Sequence, residues 1–444
     1  MIQPSDKVRP PSAAVADGLR TAQLAWLAAA VFIVSAGYGA LMPLLPSWLK
    51  TLMPDASAAE VARHVGFLSG AYAAGVLVGA PLWGAVSDRV GRGRILILGL
   101  VGYAASLLAL LVPAVAEVWA LYALRFATGF FVAAVIPVVS ALVAERTPEH
   151  QRARRFAWLS AVSLLGFLFG PGLSAVAGWI APGANDEVTS AALTTRSVIV
   201  LSALLGAVIM LGLAATLPRS RAPRPATQTQ RLPEGEGRMT ALYGLNVVVM
   251  FVLAGFELGI LLQGQQHPGV SPREVSLMFA ECSLVMLGIN ALLFFTSLLE
   301  KAPARRLMGA GLVLAMLGLA VLTQHSSDAW MYVGISLTAA GTGLILPVIA
   351  YLGASVSPQK LGVAMGGLAA AAGIGQTLGS SAGGWLFGAV EQRSFAWLAA
   401  PLALMLLFLL ARPRWWSVIP GKSGTASARA ASHSPSDDAV RIRP

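Results

Sequence analysis

Twelve apolar runs, each close to the length needed to cross a bilayer, constrain this 444-residue chain more than any other feature. They fall at roughly 22–46, 64–86, 95–113, 117–143, 156–180 and 196–217, then at 240–263, 275–299, 306–323, 329–355, 361–388 and 395–411. A hydrocarbon core about 30 Å thick takes about 20 mostly apolar residues per spanning helix. The predicted fold class is therefore an all-α membrane protein with twelve transmembrane helices. Composition agrees, since 11% of residues are charged where soluble domains carry about 25%. The 46 glycines suit close helix packing in lipid.

The net charge of +11 could suggest a nucleic-acid partner. Its placement excludes one, because Lys and Arg gather in the linkers between apolar runs. Alternate linkers differ: Arg89, Arg92 and Arg94, then Arg146, Arg152, Arg154 and Arg155, lie on one side, against Lys50, Arg63, Arg196, Arg273 and Arg393 on the other. The positive-inside rule then puts both termini in the cytoplasm of a multi-pass inner-membrane protein. Residues 1–20 lack an apolar signal-peptide core. The single Cys282 excludes an intrachain disulfide or a cysteine metal cluster, no metal site is expected among the scattered His residues, and no nucleotide-binding loop or catalytic motif is found.

The expected organisation is a cytoplasmic tail (1–21), a six-helix bundle (22–217), a polar, Pro-rich cytoplasmic linker (218–239), a second six-helix bundle (240–412) and a disordered cytoplasmic tail (413–444). The halves resemble each other at an offset of about 210 residues. Trp119 matches Trp330, Pro137 matches Pro347, Gly166 matches Gly375 and Gly170 matches Gly379. Duplicated six-helix units with a site at their interface are a known transporter architecture.

The linker after the second run reads GAVSDRVGRGR, with Gly84, Asp88, Arg89, Gly91, Arg92 and Arg94. It resembles the signature of the major facilitator superfamily between helices 2 and 3, with Gly93 where a second basic residue is usual and Arg94 one place later. Gly84 and Gly91 would permit close approach and a tight turn, and Asp88 would sit at a helix N-terminus. The resemblance implies a charge-relay lock at a cytoplasmic gate, with a degenerate copy at Glu300, Lys301, Arg305 and Arg306. Arg125 and Gly129 in the fourth run resemble the R-x-x-x-G element of the same superfamily, although snorkelling of Arg125 to the nearer interface is an alternative. Gly166, Gly170 and Pro171 in the fifth run are similar to the G-x-x-x-G-P element of its exporters, with Ser174 and Ala175 in place of a final Gly pair. Gly375, Gly379 and Gly383 repeat the spacing in the eleventh run, and ordinary small-residue packing is the competing reading for all of these.

Glu257 and Glu281 are isolated carboxylates inside apolar runs, and intramembrane ionisable residues are usually functional. With Arg125 they are the expected proton-coupling groups, because burial favours the protonated carboxyl and a second carboxylate nearby reinforces this. Helices 1, 4, 7 and 10 line the cavity in the superfamily, so the resemblance places Tyr38, Arg125 and Glu257 there, with Asn246, Gln263 and Gln376 as further cavity candidates. The reading is a secondary transporter, not an enzyme and without a cofactor. It would export a small molecule, amphiphilic ones included, by proton antiport with alternating access, resembling the drug:proton antiporter branch. A proton-coupled importer of a small organic nutrient is the alternative, and a non-transporting membrane sensor is less favoured. Substrate, protons and lipid are the expected partners of an expected monomer.

Overall fold

The computed structural model describes residues 19–112, 117–147, 149–180, 187–217, 236–266, 270, 272–296, 298, 302–324, 327–356 and 361–411. The tails 1–18 and 412–444, most of the 218–239 linker, and Glu300 and Lys301 of the degenerate copy lie outside the described residues. All regular structure among the described residues is helical. The helices are α1 (Thr21–Leu41), α2 (Ala58–Val90), α3 (Arg92–Ala109), α4 (Val118–Val132), α5 (Glu149–Ile180), α6 (Glu187–Thr216), α7 (Glu236–Gln266), α8 (Pro272–Thr296), α9 (Ala304–Gln324), α10 (Asp328–Val356), α11 (Leu361–Val390) and α12 (Ser394–Ala411). Ten described stretches are long and apolar enough to cross a membrane by themselves. One of these, Met365–Ala411, spans most of α11 and all of α12, and α5 contributes a shorter apolar core at Trp158–Gly170, which brings the total to the twelve expected.

Local chemistry explains where the helices start and stop. Ser57 caps α2, accepting from the Glu60 backbone N–H while the Glu60 carboxylate accepts from the Ser57 N–H, the reciprocal arrangement of a capping box. Gly91 separates α2 from α3 with φ at 108°, a left-handed-side backbone that residues with a Cβ rarely adopt. Two helices do not run straight. α1 passes through a 3-10 turn at Met42–Leu44, where Pro43 and Pro46 follow closely, and continues as Leu45–Leu52. α4 stops at Val132 and resumes as Ile136–Glu145, with Pro137 in the first turn of the new segment. Pro347, its counterpart, lies inside an unbroken α10.

The packing follows the repeat. In the first half α5 lies against α1, where Gly166 meets Phe32 and Ser35 and Gly170 meets Gly39 and Ala40. In the second half α11 lies against α7, where Gly375 meets Val247 and Met250, Gly379 meets Phe251, and Gly383 meets Gly255. The Pro171 side chain lies outside the described residues. The two halves meet between α2 and α11 and between α5 and α8. A methyl carbon added at Gly66 would come within 2.7 Å of the Gly384 Cα, and Gly388 is pressed against Ala59 in the same way. All of these contacts lie on the part of α2 nearer Ser57. Towards the Gly91 end, a methyl carbon added at Gly84 would have nothing within 4 Å.

Candidate coupling and gating sites

At the Gly91 end the charged residues form one cluster. Arg92 pairs with Asp88 at 2.5 Å and with Glu145 at 2.8 Å, and it donates to the Ser87 hydroxyl. Asp88 lies in the last turn of α2, not at a helix N-terminus as its motif suggested, so the helix dipole disfavours its charge and Arg92 compensates. The close approach expected at Gly84 is likewise absent. Asp88 is about half exposed, and exposed pairs contribute about 0.2–1 kcal/mol. The cluster therefore adds little stability; it fixes the geometry of the α2–α3 turn against the end of α4. All of its members belong to the first half, while Arg89 and Arg94 are exposed. Glu145 and Ser87 were missed in the sequence, although an acid beside Arg146 at the end of an apolar run is a visible signal.

Near the middle of the molecule a second arrangement centres on Arg125. Gly129, one turn along α4, lets the α4 backbone press on the Tyr72 carbonyl of α2. That approach seats the Arg125 guanidinium 5.0 Å from the centre of the Tyr72 ring. Arg125 is 2% exposed, which excludes snorkelling in this conformation. Its Nε and Nη2 are buried without an acceptor. The ion pairs among the described residues that the geometry resolves at either end of α2 include neither Arg125 nor Glu257. Leaving a buried charge uncompensated costs several kcal/mol.

Tyr38 connects this cation to the other half. Its ring packs 4.9 Å from Tyr72 and 5.7 Å from Phe167, and it lies within electrostatic reach of both Arg125 and Glu257. Phe167 in turn meets Phe279 of α8 at 5.9 Å, an aromatic contact across the two halves. Glu257 is half-buried on α7. Glu281 is half-buried on α8, accepts a hydrogen bond from Ser336 of α10 and keeps its Oε2 buried without a donor. Cys282 is within electrostatic reach of both carboxylates. Tyr38 thus stacks on Tyr72, the ring that carries Arg125, while Glu257 and Glu281 lie on α7 and α8 of the other half. Tyr72 and Ser336 were missed, because a tyrosine or a serine in an apolar run carries no signal in one sequence.

The amide candidates fare differently. Asn246, expected in the cavity, is buried and donates to the Leu368 carbonyl at 2.7 Å, so it ties α7 to α11. Gln263 is 2% exposed with both amide heavy atoms unpartnered. Gln376 is half-buried on α11, beside the Thr377 that borders α2. A cavity of about 700 Å³ opens between α2, α4 and α11, with Phe67, Ala74, Trp119, Tyr122 and Ser381 in its wall. Its wall is nearly all apolar and includes neither Arg125 nor Glu257.

The family model described as Major Facilitator Superfamily matches residues 27–264 and again 239–438, one match for each half. A tetracycline resistance protein, class D, from Salmonella ordonez is 27% identical over 327 residues, covering 70% of this chain and 76% of that one. Multidrug resistance protein 2 of Bacillus subtilis (strain 168) is 23% identical over 361 residues, covering 80% and 86%. Among solved structures, a peptide transporter POT in complex with sulfate superposes with a TM-score of 0.69 at 15% identity, covering 90% of this chain and 97% of that one.

Proposed function

The chain belongs to the Major Facilitator Superfamily, and we propose that it is a proton-coupled exporter of small drug-like molecules in the bacterial inner membrane. The observation that carries the reading is a buried Arg125 in the first bundle whose Nε and Nη2 find no acceptor, together with the isolated carboxylate Glu257 on α7 of the second. The relatives support the direction, since a tetracycline resistance protein and a multidrug resistance protein each align with most of this chain.

In this reading the Gly91 end is cytoplasmic, as are both termini and the linker, and the Ser57 end faces outward. The α2–α11 seam then closes the outer side while Gly84 stands clear, an arrangement suited to receiving substrate from the cytoplasm. Glu257 holds a proton taken from outside and releases it inward when substrate enters. Glu281, held by Ser336, is the second candidate carrier. When the outer seam opens, the Asp88–Arg92–Glu145 cluster closes against the second bundle and locks the cytoplasmic side. The protein works as a monomer, because each monomer contains both bundles and the whole pathway between them.

Everted vesicles carrying the protein are the test. Tetracycline or ethidium should accumulate when the interior is acidified, and collapse of the gradient should release it. Glu257→Gln should abolish the gradient-driven part and leave slow, energy-independent exchange. Equal accumulation with and without the gradient would refute proton coupling.

A further inference from the structure

The apolar cavity between α2, α4 and α11 has a length and a position that proton coupling leaves unused. On α2 its wall is His64, Phe67, Gly70, Ala71 and Ala74, a stripe that recurs every three or four residues along one helix face. From His64 to Ala74 the helix rises about 15 Å at 1.5 Å per residue. Ala74 is the central residue of the 33-residue α2. A hydrocarbon core about 30 Å thick has a half-thickness of about 15 Å. The cavity is therefore a trough running from one membrane interface to the midplane, the depth of a single leaflet.

The interface end of the trough differs from its depth in the way a lipid does. Trp119, 79% exposed, stands edge-on to Tyr122, whose hydroxyl is 2.5 Å from the His64 Nδ1. Amphipathic rings of this kind gather at headgroup level. One turn nearer Ser57 the stripe continues with both signs of charge: Glu60 precedes His64 by four residues and Arg63 precedes Phe67 by four. The Glu60 Oε1 is 4.0 Å from the Arg63 Nη2, and each side chain is about half exposed. Such a pair is weak, so each member is free to take a ligand's charge in place of its neighbour's. An anionic headgroup would meet Arg63 but would be opposed by Glu60. A headgroup with a phosphate and an ammonium satisfies both.

We propose that the trough binds one zwitterionic phospholipid of the leaflet on the Ser57 side, with its phosphate on Arg63, its ammonium on Glu60 and one acyl chain laid from His64 to Ala74. Only the name of that leaflet, outer, rests on the orientation proposed above. Gly70 and Ser381, both in the wall, are where α2 and α11 press together, so the site is complete only while these helices touch. A ligand that binds one of two conformations favours that one. The lipid thereby holds the α2–α11 seam shut.

Native mass spectrometry of the delipidated full-length protein in detergent, titrated with dioleoyl phosphatidylethanolamine, tests the site. The first lipid should bind saturably at one per chain, with dioleoyl phosphatidylglycerol about threefold weaker. Arg63→Gln and Glu60→Gln should each erase that preference, and glutamine at the second position still serves the helix cap. Ala71→Trp, which puts an indole into the trough, should weaken the lipid more than about tenfold. Val208→Trp, at a 55% exposed position on α6, should leave binding unchanged. The headgroup comparison uses the unaltered chain, so a misfolded variant cannot hide the answer. Graded uptake of several equivalent lipids, equal retention of the two headgroups or an unaffected Ala71→Trp would each overturn the site and leave ordinary boundary lipid. In purified Ala62→Cys, 1% exposed on this seam, maleimide labelling should slow when phosphatidylethanolamine is restored. An unchanged rate would overturn the hold on the seam. Neither measurement involves a gradient or a transported drug, so failure of accumulation in vesicles would count against the exporter reading alone.

Discussion

The two bundles meet along two seams that the internal repeat makes equivalent, α2 with α11 and α8 with α5, and the seams are built from different materials. Along α2 and α11 the backbones themselves touch, Gly66 on Gly384 and Ala59 on Gly388. Along α5 and α8 the described contact is between rings, Phe167 and Phe279. Where α11 carries Gly383 and Gly384, α5 carries Ser174 and Ala175, and Ser174 uses its hydroxyl to bond the Ala40 carbonyl of α1. Where Gly66 meets Gly384 the seam leaves no room for a side chain. An aromatic seam can repack around a guest. The first is suited to sealing and the second to bordering a substrate.

Substituting Gly384 with leucine should break the comparison most severely. Overpacking a tight contact costs about 1–3 kcal/mol, and here the obstacle is the Gly66 backbone, which cannot rotate away. Accumulation should fall below about a tenth of wild type, consistent with loss of a closed state worth more than 1.4 kcal/mol. A cysteine placed at Ala62, which is 1% exposed, should become reactive to an impermeant maleimide in whole cells. The single native Cys282 is buried and gives a low background. Unreactive Ala62→Cys in the Gly384→Leu background would show that this seam is not the outer seal.

Phe167→Ala should have a smaller and different effect. It removes ring contacts to Tyr38 and Phe279, each worth about 0.5–1.5 kcal/mol, without touching the backbone seam. Drug affinity should weaken by about threefold to tenfold while Ala62→Cys stays protected. If Ala62→Cys became reactive, the seams would not be separable. Ser174→Ala should have the least effect, since one hydrogen bond is worth about 0.5–1.5 kcal/mol. Melting in detergent should shift down slightly with accumulation unchanged, and a transport defect would instead give α5 a role in the cycle.

Much of the fold was legible in the sequence because lipid leaves a spanning segment few options. The apolar runs found each helix but fell short at the ends: the run at 64–86 is the middle of α2, which begins at Ala58 through a polar capping box. The break in α4 was not legible, since Pro137 and Pro347 occupy matching positions and only the first interrupts its helix. At the site, the charged residues were visible because charge is rare in a membrane span, and Arg125 and Glu257 stood out for that reason. Tyr72 did not, and the bond from Asn246 to Leu368 was not legible, because whether an amide faces a cavity or a neighbouring carbonyl depends on rotation about α7, which a run of apolar residues encodes poorly.

The interruption of α4 has a mechanical consequence. Arg125 lies on one side of the gap at Ala133–Val135 and Glu145 on the other, so the buried cation and the residue that anchors Arg92 belong to separate helical segments. A single rod would act as a lever, dragging Arg125 whenever the Gly91 end swung. Were the turn to flex, the Gly91 end would swing while Arg125 stayed seated on Tyr72.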